Sequence, residues 1–425
     1  MSLKMNVEIR RDLTAELSAI IDETTISSNN FFGTSPLQRL APFEDRLRTN
    51  KELWTKCETY ISDRPLQDFY FETISSVLRL REFQSGVADI PLTSLDEYQN
   101  PNSVAEQLIS EFEALPRKHR VFVEAPFWLT GQFEKFATDS TYTITKGFTL
   151  NTYPENHKNE FPEISVPNTT FSFRLFGPAP PREIKLEWKD WVTYFEFEVE
   201  GFIGPWEQTA PLHRVLVLYR AFCGLALSMG LIVRSFPSRG NENYLLAYRQ
   251  AAGKWEPERA SEIPIDIRRA MDGFHIAFFP RNRLFRNEEN HQWKSRLEFL
   301  SRVFGSSDGD AIIRASQWLF DSYVGDDDVA AFIKATVCLE ILLGDKKTSD
   351  LVGLGELLSN RCAYLISSSR TERLQIIKEF KEIYTTRSNI VHSGKNYLNN
   401  KERDDLRKLR KLCQRVIYRE AQLLE

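Results

Sequence analysis

The apolar residues of this chain change period twice, and those changes restrict its architecture more than any single motif. Up to about residue 118 they recur at helical spacing. Leu13, Leu17, Ile20 and Ile21 share one face, Phe69, Ile74, Val77 and Leu78 mark a helix over Leu66–Leu80, and Val104, Leu108, Ile109 and Phe112 mark one that stops at Pro116. Between the first two, Thr24–Pro42 is rich in Ser, Asn, Gly and Pro and reads as a loop. From about 119 the runs become short and rich in β-branched and aromatic residues: Val121–Leu129, Thr141–Leu150, Phe171–Phe176 and Ile184–Trp188. Over Trp191–Glu200 the period is two, with Phe195, Phe197 and Val199 opposite Glu196, Glu198 and Glu200, as in a half-buried antiparallel strand. A long apolar helix over about Pro211–Gly230 follows, then strand-like Leu231–Phe236 and Tyr244–Arg249.

Beyond about 290 only the helical period remains. Asp308 or Asp310 can cap a helix running to Tyr323, and Asp326–Asp328 opens the next, with Val329, Phe332, Ile333, Leu339 and Leu343 on one stripe. Three adjacent aspartates suit a metal, but helix capping and the helix dipole account for them better, with no further ligands nearby in sequence. A helix from about Asp350 to Ile366 comes next. Ser369-Arg370-Thr371-Glu372 is a capping box that opens another through Leu374, Ile377, Phe380 and Ile383, and a final helix covers Lys401–Leu424. Five amphipathic helices with short connections predict a bundle. The fold class is therefore α+β and multidomain: a helical region over 1–118, a mixed α+β domain over 119–290, and an all-α bundle over 291–425.

Charge is distributed unevenly. From Arg361 to the end there are 15 Lys and Arg against 8 Asp and Glu, a balance of +7, while the preceding 40 against 51 leave −11. A basic segment on an acidic body is compatible with local nucleic-acid contact and equally with a solvated helix face. The five cysteines are odd in number and form no C-x-x-C pair, which fits a reducing compartment without disulfides or a zinc site. The N-terminus lacks an apolar signal core, and the most apolar stretch, Ala221–Val233, is too short to span a bilayer. A cytoplasmic protein with no membrane partner and no cofactor is expected. Among the histidines, His119, His157, His213, His275 and His291 stand apart from carboxylates or cysteines at ligand spacing.

The chemistry concentrates in Tyr384-Thr385-Thr386-Arg387-Ser388-Asn389-Ile390-Val391-His392-Ser393-Gly394. Arg offers a permanent cation and a planar fork of donors suited to phosphate; His moves protons near neutral pH. Cleavage of RNA without a metal needs such a pair: a base for the 2′-hydroxyl proton and a cation for charge growing on the phosphate. On an ideal helix, five positions turn the two side chains about 140° apart. They meet on one phosphate only if the helix ends or bends between them, and Gly394 is placed as a C-terminal stop. The bland alternative is a surface Arg beside a helix-end His that interacts with the dipole.

Three blocks in order, Cys338-Leu339-Glu340-Ile341-Leu342-Leu343-Gly344, Glu356-Leu357-Leu358-Ser359-Asn360-Arg361 and the Arg387–His392 stretch, are similar to the Apea-like branch of the HEPN superfamily. The resemblance covers about residues 305–425. It implies a HEPN helical bundle and a metal-independent endoribonuclease acting on RNA, tRNA included, in bacterial antiviral defence or as a toxin. It also implies a homodimer in which two bundles form one composite cleft. On matching positions, Arg387 would hold the scissile phosphate, His392 would act on the 2′-hydroxyl, Ser388 and Asn389 would assist, and Glu340 would position the arginine or its helix. Arg361 reads instead as an ion-pair partner for a neighbouring helix. Ser393 separates His392 from the glycine that directly follows the histidine in many members. Two other functions compete: a non-catalytic HEPN module for dimerisation or RNA binding, and a ligand-binding sensor with the bundle as scaffold.

Overall fold

A computed structural model describes residues 2–27, 32–79, 89–126, 129, 141–153, 160–167, 183–186, 192–204, 209–234, 244–277, 286–344 and 353–424. The expected strand over Phe171–Phe176, His157 and the Asp350 start of a helix lie outside these residues. The chain is mixed α+β. The N-terminal region carries helices α1 (Val7–Glu23), α2 (Ala41–Arg48), α3 (Lys51–Tyr60), α4 (Pro65–Arg79) and α5 (Pro101–Glu113). The helical pattern identifies α1, α4 and α5. It misses α2 and α3, and the stretch read as a loop already turns into a 3₁₀ helix at Ser35–Leu40. The core of this region, built on Leu13, Leu17, Phe69, Tyr70, Ile109 and Phe112, is separate from that of the remaining chain. Phe202 joins it from the next region, its backbone N–H bonding to the Tyr60 carbonyl at 2.8 Å.

The central sheet contains β1 (Arg117–Glu124), β2 (Thr141–Thr145), β3 (Phe148–Thr152) and β4 (Thr193–Gly201). Helix α6 (Ala210–Ser228) and the short β5 (Ile232–Arg234) follow, then β6 (Tyr244–Ala251), β7 (Lys254–Glu262), α7 (Ile265–Asp272) and β8 (Phe274–Ile276). Six strands lie in the order β7-β6-β1-β4-β3-β2, every neighbouring pair antiparallel, while β5 pairs with β8. Alternation along each strand sends Val121, Val123, Phe195 and Phe197 to the core beneath α6. The opposite parity sends Phe122, Tyr194 and Tyr248 to a second cluster completed by Tyr153 and Phe161.

That second cluster corrects the reading of β4. Glu198 and Glu200 are exposed as expected, but Glu196 is 6 % exposed. It accepts hydrogen bonds from Tyr153 Oη at 2.6 Å and from Asn151 Nδ2, with Arg120 Nε at 3.3 Å. One half of the strand is buried on both faces, which its period of two could not show.

The C-terminal helices are α8 (Arg286–Gly305), α9 (Asp310–Asp321), α10 (Asp328–Leu343), α11 (Leu354–Ile366), α12 (Arg370–Ser393) and α13 (Asn400–Gln422). The boundary placed at 290/291 falls inside α8, whose Trp293, Leu297, Leu300 and Phe304 repeat at helical spacing and are buried. One continuous hydrophobic core runs from Val121 to Ala421, so sheet and bundle share an interior. The joint is α6 against α9, so close that a Cβ on Gly224 would lie 1.9 Å from the Ser316 carbonyl oxygen. Helix α6 is also the one described helix long and apolar enough to cross a membrane, and 67 % of its apolar window is buried inside the protein.

Helix starts follow their local chemistry. Asp327 accepts from the N–H groups of Val329 and Ala330, and Asp328 pairs with Arg403 at 2.9 Å. Ser369 Oγ accepts from Glu372 N at 3.2 Å, while the Glu372 carboxylate takes its bonds from Ser368, one residue before the expected partner. Neither Asp308 nor Asp310 caps α9; Gly309 holds that position without a side-chain bond.

Candidate functional site

Arg387 and His392 both lie on α12, which continues without interruption to Ser393. Gly394 then adopts the left-handed conformation, φ 62°, and ends the helix. The stop is where the sequence places it, but it comes after both residues rather than between them. The condition for the pair to converge through a helix break is therefore not met. The side chains leave the axis about 140° apart and about 7.5 Å along it.

Their surroundings differ accordingly. Ile383, Thr386 and Ile390 set the buried stripe of α12, and Arg387 lies beside that stripe, half-buried. Its Nη2 donates to Glu340 Oε1 of α10 at 3.3 Å, both side chains being 24 % exposed. The guanidinium also lies over the Tyr384 ring, 5.6 Å from its centroid, and its buried Nε has no hydrogen-bond partner among the described residues. Burial pushes the Glu340 carboxyl above its ordinary range, and the Arg387 charge offsets only part of this. The buried Nε is closed to an incoming anion, but the terminal nitrogens, whose hydrogen-bond partner among the described residues is Glu340, keep donors for it.

His392 is exposed on the last turn of α12, with no hydrogen bond or ion pair among the described residues. Ser388 is half-buried at an azimuth between Arg387 and His392; Asn389 is exposed and lies beyond His392 around the axis. Val391, about 40° from Arg387, is 49 % exposed, and Tyr397 just after the helix is 68 % exposed. An apolar edge therefore flanks the pair. Arg361 Nη1 donates to the Leu343 carbonyl at 3.0 Å, covering the C-terminal end of α10.

Tyr384 is a member of the site that the Arg and His chemistry does not single out. Its place three residues before Arg387 put it within reach on the same helix. The ring packs against Gly355 of α11, where a Cβ would come within 2.7 Å of it, and stacks on Phe380 at 6.2 Å. Burial raises its phenol pKa. Of the isolated histidines of the sheet region, His119 is packed: it is 1 % exposed, and burial with Arg117 and Arg249 lowers it to about 3, whereas His275 is half-buried and His213 exposed.

No protein-family model, curated protein or solved structure matches the chain.

Proposed function

We propose that this protein is a metal-independent endoribonuclease of HEPN type, cytoplasmic, acting on RNA, tRNA included, in a bacterial defence or toxin role. The observation that carries the proposal is the pairing of Glu340 with Arg387 beside an exposed, unpartnered His392 on the same helix. Glu340 limits the guanidinium to a narrow arc and leaves donors for a phosphate, so positive charge is preorganised where negative charge would grow. His392 keeps its imidazole open to a 2′-hydroxyl. Because one chain directs the two groups about 140° apart, the working cleft is assigned to two bundles, each supplying an Arg387 and a His392 across a homodimer. Val391 and Tyr397 supply apolar surface for that contact.

The competing reading, a non-catalytic HEPN module, draws support from the same ion pair, since an arginine tied to Glu340 also secures α12 against α10. Incubation of purified protein with total bacterial RNA and EDTA separates the two. The nuclease reading expects discrete cuts ending in 2′,3′-cyclic phosphate, lost in His392→Ala with thermal stability unchanged because the side chain is exposed. Intact RNA with the wild type, or cleavage surviving in both His392→Ala and Arg387→Ala, overturns it.

A further inference from the structure

A cluster of cationic side chains lies elsewhere, in a concavity of about 760 Å³ between the end of α6 with β5 on one side and α13 on the other. Its lining holds six cations, Arg234, Arg403, Arg407, Arg410, Lys411 and Arg415, against a single acid, Asp328. The outer three are already neutralised: Arg403 by Asp328 at 2.9 Å, Arg415 by Glu372 at 2.6 Å, and Arg407 by Asp404. The other three, Arg234, Arg410 and Lys411, meet no carboxylate at ion-pair distance among the described residues.

Two of these pack against one ring. The Arg410 guanidinium lies 4.1 Å from the centroid of Tyr323 and that of Arg234 lies 5.3 Å from it. Arg410 is anchored through Ser322, donating from Nε to Oγ at 3.2 Å and from Nη2 to the carbonyl. Burial, with the adjacent Arg234 charge, brings Arg410 down to about 10. Like charges held together in a partly desolvated site raise the free energy of the empty protein and favour an anion between them. At the rim Tyr418 presents a ring 41 % exposed, steadied edge-on by Phe299 at 5.8 Å, and Leu227 and Ile232 add apolar wall.

We propose that this cleft binds a small phosphorylated nucleotide, its phosphates between Arg234, Arg410 and Lys411 and its base against Tyr418. The volume falls in the range of small-ligand pockets, about 300–1,000 Å³. Guanidiniums suit phosphate oxygens and an aromatic face suits a base of any sequence. A bound RNA strand is the weaker assignment. A strand running along α13 would use Arg403, Arg407 and Arg415, which are paired with acids, whereas Arg234 and Arg410 meet at Tyr323 and Lys411 lines the same cleft. The site touches both the sheet region and the bundle, so an occupant links the two. This inference is independent of the nuclease reading.

Titration calorimetry and thermal melting of the full chain with ATP, GTP, inorganic triphosphate, adenosine and a short single-stranded RNA test it. At least one nucleotide should bind and raise Tm, inorganic triphosphate should bind more weakly, and adenosine should not bind. In Arg234→Gln/Lys411→Gln, both exposed positions, affinity for nucleotide and triphosphate should fall by about tenfold or more. Tyr418→Ala should weaken the nucleotide and leave triphosphate unchanged. If neither nucleotide binds, if the double variant binds as well as the wild type, or if RNA binds this face without displacement by nucleotide, the proposal fails.

Discussion

Replacing Arg387 by Ala tests the central ion pair most directly, because it leaves Glu340 half-buried with its counter-charge removed. At 3.3 Å, an effective dielectric of about 20 gives a gross attraction of about 5 kcal/mol. For Glu340 desolvation outweighs it, since the net effect on the carboxyl is upward despite the arginine. Exposed pairs couple by about 0.2–1 kcal/mol, and removing one partner of a buried pair costs about 3–5 kcal/mol. With both side chains 24 % exposed, Arg387→Ala should cost about 1.5–2 kcal/mol near neutral pH.

The pH dependence carries a definite sign. A carboxyl whose pKa is raised on folding holds its proton more tightly in the native state, so stability falls as pH rises from the unfolded value through the folded one. Loss of Arg387 raises Glu340 further and deepens that fall. The difference between variant and wild type should therefore shrink toward about pH 4, just below the ordinary glutamate pKa of about 4.3, where the carboxyl is mostly protonated folded or unfolded. Urea denaturation of wild type, Glu340→Gln, Arg387→Ala and the double variant at both pH values provides the measurement. Glu340→Gln by itself should change stability by less than about 1 kcal/mol, because the amide retains an acceptor without the cost of a buried charge. Additivity within about 0.3 kcal/mol, or a cost for Arg387→Ala that does not vary with pH, would refute the reasoning.

Three further outcomes follow from single positions. Gly394→Ala has open space around its Cβ but a φ of 62°, so it should cost about 1–2 kcal/mol by backbone strain, read by urea midpoint; no change would mean the helix ends differently. Gly224→Ala sets a methyl 1.9 Å from the Ser316 carbonyl, and the forced separation of α6 from α9 should cost at least about 2 kcal/mol, seen as a lower Tm or loss of soluble protein. The five cysteines are all buried, and desolvation lifts Cys57 and Cys362 to about 12. A thiol reagent should therefore modify them only as fast as the protein opens; a rapidly reacting thiol in the native protein would contradict this burial.

How much of this was written in the chain depends on the range of the interaction. Helix α12, its Ser369 cap and its Gly394 stop follow from neighbours a few residues apart, and so does the alternation of β4. The angle separating Arg387 from His392 follows from helix geometry as soon as the helix is known to continue. The partner of Arg387 lies 47 residues away, and its identity depends on how α10 packs against α12. Glu196 shows the same limit: alternation assigns it a face, but only the cluster around Phe161 determines that this face is closed. The charge run on α13 is plain in the sequence, yet in that form it cannot be told from a solvated face. Arg407 finds Asp404 within its own helix, but the tertiary structure pairs Arg403 and Arg415 with acids of other helices and brings Arg410 and Arg234 to one side chain, Tyr323. Periodicity is a local property and chooses the elements. Which charges lose water and which find partners is settled by contacts between elements far apart along the chain, where periodicity carries no information.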